Sequence, residues 1–175
     1  MTRRRELPTW LIVIPVALAL FHRLFLGEAL FWGLPALQFV PWRSLAFDGL
    51  RAGRLPLWNP YAGAGAPLLA NYQTAFLYPP NWLHLILPDY LALSAVGVAH
   101  VICAGVGMGM FARELGVPSF GRGVSALAFA FSGYVIARFS TPPMVDAAAW
   151  LPWLFWAVHR LTERRSWRRG ADGCC

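Results

Sequence analysis

The sequence predicts an all-α polytopic membrane protein with about four transmembrane helices and a large external loop carrying an interfacial amphipathic helix. Composition is the first reason: 58% of the 175 residues are hydrophobic and 13% are charged, about half the charge of an ordinary soluble domain. One core of this size cannot hide so much apolar surface, so much of it faces an oily medium. Charge placement is the second. All 15 cations are Arg, and most of them punctuate apolar runs instead of covering a polar face, which reads as membrane topology and argues against nucleic acid. Cysteine usage is the third: Cys103 lies in an apolar run and Cys174 and Cys175 are adjacent at the end, so no disulfide framework of a secreted miniprotein is readable.

The first element is PTWLIVIPVALALFHRLFL, Pro8 to Leu26, 19 residues that follow Arg3, Arg4 and Arg5. About 20 apolar residues cross a bilayer core, and a triple Arg ahead of them favours a cytoplasmic N-terminus. His22, Arg23 and bulky side chains stand where a signal peptide needs small ones, so the segment reads as a retained helix. The second, Leu91 to Phe111, has no formal charge and contains the pair Gly105 and Gly109 at the spacing that lets helices approach closely. The third, Gly123 to Ala137, lies between Arg122 and Arg138 and is roughly 22 Å long, so those arginines must reach for the headgroups. The fourth begins near Val145 and runs to Val158, with Pro152 inside it and five Arg after it. With both termini cytoplasmic, ten Arg fall inside and five outside, which obeys the positive-inside rule. The chain then divides into 1–26 (cytoplasmic N-terminus and first helix), 27–90 (external loop), 91–161 (three helices) and 162–175 (basic cytoplasmic tail).

The loop opens with QFVPWRSLAFDGLRAGR, Gln38 to Arg54. At helical spacing Arg43, Phe47, Arg51 and Arg54 share one side while Phe39, Trp42, Ala46 and Leu50 share another, which fits a helix lying in the interface. Arginines on such a helix suit a lipid phosphate or pyrophosphate, because the guanidinium offers a planar donor fork; they suit anionic headgroups without selectivity equally well. Beyond Gly53, proline and glycine recur too often for a continuous helix. Asn59, Asn71, Gln73 and Asn81 are embedded there among aromatic and aliphatic side chains, Tyr78 included. Their amides must meet backbone groups or line a polar pocket. Flat aromatic faces beside amides are what a sugar cleft needs, and Asx turns with interfacial aromatic anchors account for the same residues.

The run PLWNPYAGAGAPLLANYQTAFLYPPNWL, Pro56 to Leu83, closely resembles the signature loop of the YfhO family of bacterial membrane proteins. FVPWRSLAFDGLRAGR upstream, ARELG at Ala112, FAFSGY at Phe129 and AAAWLPW at Ala147 resemble successive elements of the same N-terminal region. That family is similar to the GT-C glycosyltransferases, which transfer sugar from a polyprenyl-phosphate carrier outside the cytoplasmic membrane. The resemblance therefore implies a multi-pass protein of the bacterial inner membrane, with a polyprenyl-phosphate sugar as donor and a cell-envelope polymer as acceptor. Membrane lipid is its other partner, and a divalent cation is left open as cofactor. Since the family's proteins are several times longer, these 175 residues correspond to an N-terminal portion, too few helices to enclose a carrier groove.

In the superfamily the first external loop carries a catalytic acid, which acts as general base or holds a cation against phosphate. This chain has Leu34 where that acid is expected. The carboxylates left to replace it are Asp146, at the mouth of the fourth span, and Glu28; Asp48 is expected to pair with Arg51 three residues on. Asp146 serves equally as a helix cap favoured by the dipole. His100, mid-span, reads as a neutral imidazole bonded within the bundle, and no Walker lysine or G-x-G-x-x-G supports nucleotide binding. Two functions follow. One is the N-terminal part of a glycosyltransferase-like protein, using Asp146 and Glu28 as carboxylates, Arg43, Arg51 and Arg54 for the carrier phosphate, and Asn59, Asn71, Gln73, Tyr78 and Asn81 around the sugar. The other is a non-enzymatic four-helix membrane protein whose external loop binds a partner.

Overall fold

A computed structural model describes residues 8–28 and 33–171, with side chains through Glu163. The basic N-terminal triplet, Arg164, Arg165, Arg168, Arg169 and the terminal cysteines lie outside the described side chains. The fold is predominantly α-helical: α1 (Trp10–Leu20), α2 (Val40–Arg51), α3 (Asp89–Glu114), α4 (Ser119–Ala130), α5 (Gly133–Ala137) and α6 (Pro142–Ala171). Among the described residues the strands are a two-stranded antiparallel ribbon, β1 (Trp58–Asn59) and β2 (Ala66–Pro67), with Trp58 opposite Pro67 and Asn59 opposite Ala66.

Among the described residues, two helical segments are long and apolar enough to cross a membrane, Asp89–Glu114 and Ser119–Ser140. At 1.5 Å per residue α3 is about 39 Å long, more than the roughly 30 Å of a bilayer core. The second segment is α4 continued through α5 and a tight turn at Arg138–Ser140, longer than the 123–137 stretch that the arginine spacing marks out. It extends past Arg122 because that side chain is largely buried, its Nε donating to the Val117 carbonyl at 2.6 Å. Helix α1 holds 11 residues and gives way to a tight helical turn at His22–Leu26, so the Pro8–Leu26 stretch is not one continuous helix.

The chain forms two compact units. The first takes the described residues of Met1–Leu20, His100–Ile136 and Ala147–Cys175. Its packing rests on small residues. A side chain on Gly105 would strike Val13, one on Gly109 would strike Thr9, and one on Gly107 would lie 2.5 Å from the Trp153 indole. That indole donates to the Cys103 carbonyl at 3.0 Å, which fixes α6 against α3. Phe111 packs on Phe155 with ring centroids 5.9 Å apart, and Arg160 pairs with Glu114 at 3.2 Å.

The second unit is Phe21–Ala99 with Ala137–Asp146. A wide turn at Pro35–Phe39 leads into α2, which ends where Gly53 takes a left-handed conformation at φ +70. There Gly53 N–H bonds Leu50 C=O and Arg54 N–H bonds Gly49 C=O, closing the helix before the expected Arg54. The core of this unit joins Ala46 and Phe47 of α2 to Leu68 and Phe76 of the loop, with Trp42, Leu45, Leu50 and Leu69 packed around them. So the proline-rich loop is ordered by the apolar side of one short helix.

Candidate functional site

Phe47 must enter that core, where its ring meets Phe76 at 5.2 Å, and Arg43 one turn earlier on α2 is carried in with it. Arg43 is fully buried, and among the described residues none accepts a hydrogen bond from its Nε, Nη1 or Nη2. Burial lowers its pKa from 12.5 to about 10, opposed by the charge of Asp146. Arg43 therefore remains a cation at neutral pH. Asp146 is 7% exposed and lies a full turn inside α6, too deep to cap a helix that begins at Pro142. Opposite charges far apart in sequence thus act on each other inside one unit. Leaving a buried charged donor without acceptors costs more than the roughly 1–3 kcal/mol of a neutral one.

Beside them lies a second polar cluster that the sequence reading did not single out. A tight helical turn at Pro79–Leu85 buries Asn81 and His84 completely. His84 Nδ1 lies 2.8 Å from Asp89 Oδ1 at the start of α3, and Ser44 Oγ donates to the other Asp89 oxygen. Phe47 stacks on the imidazole, centroids 5.2 Å apart and planes within 5°. Arg51 donates to the His84 carbonyl and pairs with Asp48, as its three-residue spacing expects. Because Asp89 can only accept, Nδ1 carries the proton and the lone pair of neutral His84 is on Nε2. That atom is buried with no hydrogen-bond partner among the described residues. Burial holds the imidazole below its ordinary 6.5 against the upward pull of its hydrogen bond to Asp89, and the charges of Arg43 and Arg51 push the same way as burial.

The remaining sequence candidates separate by role. Asn59 accepts from Tyr61 N–H at 2.9 Å and Asn71 from Gln73 N–H at 3.0 Å, both two residues on, so these amides shape turns. Gln73 is bound by Gln38 Nε2 at 2.8 Å, and Asn81 Nδ2 donates to the Ala75 carbonyl at 2.8 Å. Asn81 Oδ1 is buried without a partner among the described residues. Tyr78 is half-buried and its carbonyl accepts from Asn81 N–H. Glu28 is at the surface, paired with Arg23 at 3.0 Å. Arg54 is exposed and lines a groove of about 450 Å³ with Leu45, Asp48, Trp58 and Tyr61, and the exposed Trp58 indole rests on Gly65. Leu34, in place of the expected acid, is exposed. Among the described residues no three of His, Cys, Asp and Glu gather to hold a metal ion.

His84 and Asp89 had one legible signal. In HLILPDY a proline precedes Asp89, which starts a helix with an acid in its first turn and brings that acid back toward the histidine. Comparison of the chain with family models, with curated proteins and with solved structures finds no match.

Proposed function

We propose that this chain is the N-terminal part of a multi-pass, glycosyltransferase-like protein of the bacterial inner membrane, of the YfhO kind, and that its loop unit binds the phosphate of a polyprenyl-phosphate sugar. One observation carries the reading: Arg43 presents a buried, charged donor fork with no acceptor among the described residues, under the electrostatic pull of Asp146. A phosphate oxygen pair fits such a fork in charge and in geometry. Electrostatic stabilisation of the phosphate leaving group is worth most in a site without water. Arg51 is held by Asp48 and by the His84 carbonyl, so it shapes the site, while Arg54 with Trp58 and Tyr61 offers the sugar an open groove. Glu28, exposed and paired with Arg23, is set aside as a catalytic carboxylate, and Asp146 is kept as the buried counter-charge of Arg43.

In this reading four segments cross the bilayer, both termini are cytoplasmic and the loop 27–90 lies outside. A cysteine introduced at Ala64, in a background without the native cysteines, labels from the outside only; labelling from the cytoplasmic side alone reverses the topology. Binding of polyprenyl phosphate in nanodiscs, to the intact protein of which this reading makes the chain the N-terminal part, tests the site. Arg43→Ala is expected to weaken it at least tenfold, about 1.4 kcal/mol, and undiminished affinity in that variant overturns the assignment. A second reading, a non-enzymatic protein whose loop grips an envelope partner, is favoured by the exposed Leu55, Leu57, Tyr61 and Tyr72. It predicts no binding of the carrier phosphate.

A further inference from the structure

We infer that His84, held by Asp89 and Ser44, is the proton acceptor of this site, taking the proton of the hydroxyl that receives the sugar. The inference rests on the transfer reading and adds to it the group that replaces the acid absent at Leu34. Asp146 already shares its charge with Arg43, whereas the His84 imidazole has a lone pair that no described residue uses. Its other nitrogen is bound to a carboxylate, and that carboxylate is bound in turn by Ser44. This is the order of parts that fixes a histidine's tautomer and stabilises it once it is charged. Phe47 stacked on the ring prevents it from turning.

The step balances. The acceptor hydroxyl gives its proton to His84 Nε2 as its oxygen bonds the anomeric carbon of the sugar. The bond from that carbon to the carrier phosphate breaks, and its electron pair leaves on the phosphate oxygen facing Arg43. The imidazolium then returns its proton to water or phosphate. Because His84 and Arg43 are fully buried, the covering chain must open for the ligand, as gated sites do.

The test uses the intact protein of which the proposed reading makes this chain the N-terminal part, in nanodiscs and labelled with 15N histidine, and His84→Asn to assign the resonance. Asparagine keeps an N–H for Asp89 and lacks the second nitrogen, so it spares the fold. At neutral pH His84 is expected as the Nδ1–H tautomer, and its Nε2 signal is expected to move when a polyprenyl-phosphate sugar and a glycan acceptor are added together. In the transfer assay His84→Asn is expected to lower the rate about 100-fold or more with carrier binding unchanged, and Asp89→Asn to shift the pH profile. A proton resident on Nε2, a signal unmoved by ligands that bind, or an undiminished rate in His84→Asn overturns the inference alone. Absence of carrier binding by the unaltered intact protein overturns the transfer reading beneath it.

Discussion

The two units are similarly apolar but treat their polar groups in opposite ways. In the helical unit polar side chains that enter the packing are answered close by among the described residues: Trp153 Nε1 by the Cys103 carbonyl, Arg122 Nε by the Val117 carbonyl, Ser125 Oγ by the Gly121 carbonyl. The loop unit instead buries Arg43, His84 and Asn81 with polar atoms unanswered among the described residues. The first arrangement is what a bundle in lipid requires, because helices there associate by close packing and by satisfying hydrogen bonds within the bundle. The second costs stability, so it is expected where a ligand supplies the missing partner. Helix α2 shows how it is imposed: one face serves both the core, through Phe47, and the site, through Arg43.

The largest effect expected from this contrast is in the charge pair. Asp146→Ala leaves Arg43 buried without the charge that acts on it and should destabilise the loop unit by more than about 1 kcal/mol, read by unfolding in detergent. Replacing both members, Arg43→Met with Asp146→Leu, should restore most of that stability and, on the proposed reading, abolish carrier binding. An Asp146→Ala protein as stable as the parent removes the electrostatic coupling from the account. In the helical unit the corresponding break is steric. Gly107→Leu drives a side chain into the Trp153 indole and should cost about 1–3 kcal/mol, with faster hydrogen exchange near Cys103 and Trp153 and none gained near His84.

The two long apolar segments were legible because composition reports directly on apolar runs. Leu91 to Phe111 lies wholly within α3, and the glycines picked out for close approach meet Val13 and Thr9. Helix ends were less legible. Glycine and an N-terminal turn cut α2 to Val40–Arg51, and Pro8–Leu26 divides between α1 and a tight turn, because chain reversals depend on backbone bonds that hydropathy does not register. At the site, helical spacing put Arg43 with Phe47 on one face. It could not say that the apolar member would draw the charged one inward. His84 was missed because its partner Asp89 belongs to the next helix, a tertiary relation that one histidine in a proline-rich run does not announce.

Protonation sharpens the same contrast at intermediate magnitude. His84 is held below its ordinary 6.5 in the folded unit, so in the window just below 6.5 the unfolded chain binds the proton more readily than the folded one. Stability is therefore full above 6.5 and is lost as pH falls through that window toward the folded value. Hydrogen-exchange protection of the turn at Pro79–Leu85 should decline there, and His84→Asn should flatten the decline. An undiminished decline in that variant assigns it to other groups.

The smallest effect is expected at Glu28, and its smallness carries information. Its carboxylate side chain is 54% exposed and that of Arg23 is 70% exposed, with 3.0 Å between them. Solvent screens such a pair, and holding two long side chains together costs rotamer entropy, so Glu28→Gln should change stability by less than about 1 kcal/mol. Salt should weaken the pair further. If the loop unit works through its buried groups, Glu28→Gln should also leave carrier binding and transfer unchanged. A loss of transfer of about 100-fold or more in Glu28→Gln, on the scale of removing a general base, with stability intact, would return the catalytic role to the surface carboxylate. The buried Arg43 and His84 would then be structural, and the contrast between the two units would be one of packing alone.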